Sequence, residues 1–185
     1  MKKSVILAPL LFLLLLGCKK VENQVAQILK FTVNVSQVSR VPGPSLFFTA
    51  LPAPVTIVTN SSTAFNSNNT NSSKVQDVYL DQLQLTLLNP TTAVPNFNFL
   101  DLLRVYINTP GASNRILLAE ITNPPQDQTT LTLVPTTARL DEYLKSDKYE
   151  LTVYSQQKPT YGGISPLDSL TIRTDARFRV TASPL

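Results

Sequence analysis

The chain predicts an all-β domain, a two-sheet sandwich of the immunoglobulin-like kind carrying one short helix. Three observations lead there. Apolar residues recur at every second position in about seven to nine short runs, the spacing of strands with one buried face. Fourteen prolines and five glycines interrupt those runs, and only one stretch has apolar residues at helical spacing. Many short strands with frequent turn signals describe a sandwich, with a closed barrel as the second architecture. A lipid-facing barrel fits poorly, because its strands run about 9 to 11 residues between aromatic girdles and this chain has no tryptophan.

The first run alternates Leu29, Phe31, Val33 and Val35 with Lys30, Thr32, Asn34 and Ser36. Pro42-Gly43-Pro44 reads as a turn, since proline sets φ and glycine accepts conformations that other residues avoid. Two short strands follow at Leu46–Thr49 and Val55–Val58, and Pro52 and Pro54 beside them mark sheet edges. The polar stretch 60–73, rich in Asn and Ser, contains too little apolar surface to offset its ordering entropy and is expected to be a flexible loop.

Val78 and Leu80 then alternate in one phase, and Leu83, Leu85 and Leu87 in the other. A bulge near Asp81-Gln82 would let both sets face the core. Phe97 to Ile107 repeats that arrangement, Pro110-Gly111 turns the chain, and Ile116 to Ile121 returns as a hairpin partner. Leu131 to Val134 supplies another strand. Ala138 to Ser146 is the helical stretch, with Leu140, Tyr143 and Leu144 on one side, Thr137 as N-cap and Lys145 at the C-terminal end. Strands are expected around Leu151 and Val153, from Leu170 to Ile172, and from Phe178 to Ala182, with a turn at Gly162-Gly163.

Upstream of this domain, Lys2 and Lys3 precede an apolar run from Val5 to Leu16, the charged and apolar regions of a secretory signal. The run is about a dozen residues long, short of the roughly 20 that span a bilayer. It ends in Leu15-Leu16-Gly17-Cys18, which places the chain's one cysteine before Lys19 and Lys20. These four residues resemble the bacterial lipoprotein signal, or lipobox. The resemblance implies cleavage between Gly17 and Cys18, a diacylglycerol on the Cys18 thiol, and acylation of the new amino group. At about 0.8 kcal/mol per buried methylene, two or three acyl chains hold a protein at a membrane where one does not.

The organisation that follows is a signal peptide at 1–17, a lipidated tether at 18–27 and a single domain at 28–185. Removing 17 of 185 residues leaves 168, enough for one sizeable core. No second cysteine is present, so disulfides and cysteine metal clusters are excluded. Loss of Lys2 and Lys3 lowers the basic residues from 16 to 14 against 12 acidic ones, and a charge of +2 does not argue for nucleic acid. Lysine after the acylated cysteine, where retention at the inner membrane favours aspartate, implies by the same resemblance the outer membrane. The acidic cluster common in surface lipoproteins of Bacteroidota is absent from Lys19-Lys20-Val21-Glu22, which leaves the periplasmic and surface faces open.

A wider resemblance spans Val75 to Leu185. The Leu-alternating strand, Asn96-Phe97-Asn98-Phe99-Leu100, the helical Leu140 to Lys145, and the closing Phe178-Arg179-Val180-Thr181-Ala182 are similar to β-sandwich lipoproteins of Bacteroidota. It implies fold and compartment, and no catalytic residue. Asp168-Ser169-Leu170 resembles the short O-glycosylation acceptor of the same bacteria.

Chemistry is bounded by residue types. There is no histidine, so Ser-His-Asp and Cys-His catalysis and His-ligated zinc are excluded. Asp77, Asp81 and Asp101, or a Ser-Lys dyad, are what an enzyme would have to use. No calcium-type Asp spacing or glycine-rich phosphate loop occurs, and no cofactor is expected. Two binding constellations stand out. Phe47, Phe48, Tyr154 and Tyr161 can form an aromatic platform for a partner protein or sugar rings. Arg173, Arg177 and Arg179 can engage a carboxylate or phosphate bidentately. The expected function is a non-enzymatic envelope lipoprotein that reaches the membrane through lipid on Cys18 and binds or scaffolds an envelope protein or polymer. A glycan-binding lipoprotein of a polysaccharide-uptake system is the alternative, and a carboxylate hydrolase the third reading.

Overall fold

A computed structural model describes residues 28–42, 54–159 and 169–185. Eight strands form there: β1 (Leu29–Pro42), β2 (Val55–Val58), β3 (Val75–Leu87), β4 (Leu100–Asn108), β5 (Ile116–Thr122), β6 (Thr130–Pro135), β7 (Lys148–Gln157) and β8 (Ser169–Ala182). Helix α1 (Ser61–Ser67) and a 3-10 turn (Ser72–Lys74) precede β3, and helix α2 (Asp141–Lys145) precedes β7. The expected signal peptide and tether, the Leu46–Thr49 run and the Gly162-Gly163 turn lie outside the described residues.

The strands pair antiparallel, β1 with β8, β2 with β7, β3 with β6 and β4 with β5. The chain thus behaves as one long hairpin wrapped round on itself, with its tip at the β4–β5 turn. There Gly111 takes φ +74, Ala112 N–H reaches Thr109 O, and the Asn114 side chain brackets Thr109 through its N–H and its hydroxyl. Wrapping brings β8 against β3 and β7 against β4, giving the order β1-β8-β3-β6-β5-β4-β7-β2. The expected β-sandwich is formed, with its connections in the double Greek key order of a jelly roll rather than the immunoglobulin order. Strand β6 is the corner: it pairs with β3 over four positions and with β5 over two.

Alternation decides what each face buries. Strand β8 turns Leu170, Ile172, Ala176, Phe178, Val180 and Ala182 inward and Arg173, Asp175, Arg177 and Arg179 outward. In β3 the register with β8 slips between Leu80 and Gln82, at the bulge that the phase change predicts. Both apolar sets, Val78 with Leu80 and Leu83 with Leu85 and Leu87, are buried as a result. The layers meet in one continuous core, where Tyr149 of β7 packs edge to face on Phe178 of β8.

Three sequence expectations are corrected. Residues 60–73 do not form a flexible loop, since Phe65 is 1% exposed and packs against Phe31 of β1. The asparagines that read as low complexity fit the turns here: Asn60 and Asn69 adopt φ 50 and φ 54, conformations asparagine tolerates better than most residues. Thr70 Oγ1 donates to Ser183 O and Leu185 N–H to Asn69 O, which stitch the segment to the end of β8. The helix expected over Ala138–Ser146 is only Asp141–Lys145, and Leu140, not Thr137, is its N-cap. Residues just before it are drawn onto β3, where Leu140 N–H donates to Val78 O and Val78 N–H to Asp141 Oδ1. Finally, Leu170–Ile172 and Phe178–Ala182 are not separate strands but the ends of the unbroken β8, whose middle residues keep register with β1 throughout.

Candidate functional site

The outer face of the β1-β8-β3-β6 sheet gathers a row-by-row set of polar side chains. Register places them in rows across the strands: Asn34, Arg177 and Gln82; Ser36, Asp175, Gln84 and Thr132; Val38, Arg173, Thr86 and Thr130. Between the first two rows lies a shallow depression of about 210 Å³, lined by Asn34, Ser36, Gln82, Gln84, Asp175 and Arg177. That is smaller than the roughly 300 to 1,000 Å³ of a pocket enclosing a small molecule. The arrangement suits docking over a surface.

The three arginines predicted as a binding cluster share this face, and carboxylates already engage them. Arg177 Nε reaches Asp81 Oδ2 at 2.6 Å, and Arg179 Nη1 stands 4.0 Å from Asp81 Oδ1 with its guanidinium 5.9 Å from the Tyr79 ring centre. Arg173 Nε pairs with Asp175 Oδ2 at 2.8 Å, and Ser36 Oγ donates to Asp175 Oδ1 at 2.6 Å. Partial burial pushes the Asp175 carboxyl up, but the Ser36 hydroxyl and Arg173 outweigh it and hold the group below its ordinary value. Arg179, with 61% of its side chain exposed and the loosest pairing, keeps the most donor capacity for a partner.

Asp77, Asp81 and Asp101 are not assembled into a catalytic pair. Asp81 is held by Arg177, and Asp77 shares Arg139 with Asp141, at 3.1 and 2.7 Å. Arg139 also donates to Gln76 O. The Asp141 hydrogen bond leads the pairing that raises the Arg139 guanidinium above its ordinary value. Asp101 lies on β4 in the other layer. Among the described residues, no group of three or more His, Cys, Asp or Glu side chains is placed to hold a metal ion.

Of the four aromatics predicted as a platform, Phe47, Phe48 and Tyr161 fall outside the described residues. Tyr154 is half-buried on the outer face of the second sheet, opposite Arg104 in register. Arg104 Nε pairs with Glu120 Oε2 at 2.9 Å, the contact that chiefly raises its guanidinium above the ordinary value. Tyr106 on the same face carries Arg115 over its ring at 5.7 Å. Sequence reasoning passed over Tyr79, Tyr106, Asn34 and Gln82. Period-two spacing marks Asn34 as outward-facing, but only the register sets it beside Arg177. Ser169, the candidate glycosylation residue, is half-buried and accepts a hydrogen bond from Arg40 Nε at 2.8 Å.

No family model matches the chain, and no curated protein matches it significantly. Among solved structures it is similar to a Turnip Yellow Mosaic Virus chain at 16% identity and a TM-score of 0.25, covering 85% of this chain and 96% of that one. A Desmodium Yellow Mottle Tymovirus chain is similar at 12% identity and a TM-score of 0.27, covering 100% of this chain and 90% of that one. Likeness at these scores says nothing about function.

Proposed function

We propose that this chain is a non-enzymatic envelope lipoprotein whose β-domain, tethered to a membrane through lipid on Cys18, docks an envelope protein or polymer. The reading is carried by Leu15-Leu16-Gly17-Cys18 standing 11 residues before the first strand, which begins at Leu29. An extended linker of that length reaches at most about 35 to 40 Å, so the domain stays close to the lipid surface. The outer membrane is the proposed location, and the open polar face of the first sheet is the proposed docking surface. Engagement of Asp77 and Asp81 by arginines supports docking over carboxylate hydrolysis.

The test is metabolic labelling with palmitate in cells producing the wild type or Cys18→Ser. Label on the wild type alone, with the variant leaving the membrane fraction, supports the reading. Label on neither, or equally on both, overturns it. The depression lined by Asn34, Gln82, Gln84 and Asp175 favours the glycan-binding alternative as a second reading, because amides and carboxylates suit hydroxyl groups. Silence against a panel of envelope and dietary polysaccharides would remove it.

A further inference from the structure

We infer that β1 is a docking edge, at which an extended acidic segment of a partner protein adds a ninth strand to the sheet. The inference rests on the protein-docking reading above and names the partner's chemistry. Strand β1 is 14 residues long and pairs with β8 along its whole length without a register shift. It is the terminal strand of the sheet order, so its other side presents backbone N–H and C=O groups with no backbone partner among the described residues. A straight, regular edge of this length is a template for another strand unless something blunts it. The usual devices are missing from its middle: there is no bulge, no inward charge, and no proline before Pro42. The opposite edge, β2, has only four residues and offers far less.

Charge selects the partner. The outward residues of β1 are Lys30, Thr32, Asn34, Ser36, Val38 and Arg40, two cations with no acid among them. One strand further in, Arg173 and Arg177 each have an aspartate, whereas Lys30 and Arg40 have no carboxylate partner among the described residues. An added strand would lay alternate side chains beside these two, and opposite charges on neighbouring strands attract. Pairing with a second copy would bring only further cations to the junction. Phe31, Val33 and Val35 anchor the strand in the core beneath, so the edge is rigid and preorganised for pairing.

The probe is a twelve-residue peptide alternating threonine with glutamate, and its control carries lysine in place of glutamate. Full-length protein in detergent is titrated with each by fluorescence anisotropy, and amide exchange is followed along 28–42. Expected results are binding of the glutamate peptide, slowed exchange in β1, and at least a tenfold weaker affinity in Lys30→Glu/Arg40→Glu, which should instead prefer the lysine peptide. Both substitutions are at exposed positions, and an unchanged melting temperature shows that the variant is folded. Equal binding of both peptides, no binding, protection confined to other strands, or peptide-free dimerisation through β1 each overturns the inference. Palmitate labelling does not enter this result, so failure of the lipoprotein reading and failure of the docking edge are separately visible.

Discussion

Tyr149 and Phe178 meet with ring centroids 6.1 Å apart and planes at 68°, joining β7 in one layer to β8 in the other. Edge-to-face pairs of this kind contribute about 0.5 to 1.5 kcal/mol beyond the area they bury. Phe178 is 0% exposed and sits at the middle of the β1-β8-β3 triplet. Phe178→Ala should cost about 3 to 5 kcal/mol, and Phe178→Leu less than about 2, in urea unfolding. Equal effects of the two would show that the aromatic cavity is not what the sandwich depends on.

Tyr143 Oη donates to Asn114 O at 2.6 Å and so ties α2 to the tip of the β4–β5 hairpin. Burial, then the neighbouring Glu142 carboxylate, pushes its phenol up to about 12 from an ordinary 10.0. The folded state therefore favours the neutral phenol. Its contribution is whole below about pH 10 and is lost as pH rises through the folded value. Tyr143→Phe should lower stability by about 1 kcal/mol at neutral pH and lose less on further titration to high pH. Some alkaline loss should remain, because burial raises Tyr149 as well. Thermal melts across about pH 8 to 12 check both statements.

Asp175, held by Ser36 and Arg173, has a carboxyl lowered from its ordinary 3.8. Its stabilising effect is present above that value and disappears as pH falls through the lower folded one. Asp175→Asn should cost at most about 1 kcal/mol near neutral pH, since the pair is solvent-screened. The gap between variant and wild type should close in urea titrations repeated in strong acid. A gap unchanged by acid would assign the loss to packing instead.

Phe65 is what converts an Asn- and Ser-rich stretch into ordered structure. Phe65→Ala should release α1 from Phe31 and speed exchange of the Asn68, Asn69 and Thr70 amides, which bond back to Asn66 and Phe65 carbonyls. Exchange in β4 and β5 should stay slow if the segment is a local unit.

The candidate face divides along the same line. Arg173, Arg177 and Arg179 occupy one parity of an alternating run, so their common side was legible before any strand order was known. The partner that Arg177 and Arg179 share was not. Asp81 comes from 96 positions away in sequence and Ser36, which holds Asp175, from 139. The phase change in β3 likewise announced its bulge, because only an extra residue lets two opposed apolar sets share a core. The backbone of Leu140 gave no such sign, since its N–H bonds to Val78 O on a strand far earlier in the sequence.

By itself the sequence determined the all-β class, most strand positions and the β4–β5 hairpin, all of which follow from spacing and short motifs. Only the tertiary structure decided the jelly-roll order, the ordering of 60–73, the pairing of the arginines and the place of β1 at the end of the sheet order. The physical reason is range. Periodicity records which face of a strand is buried, whereas register and partner choice depend on residues far apart in sequence that meet only once the hairpin has wrapped.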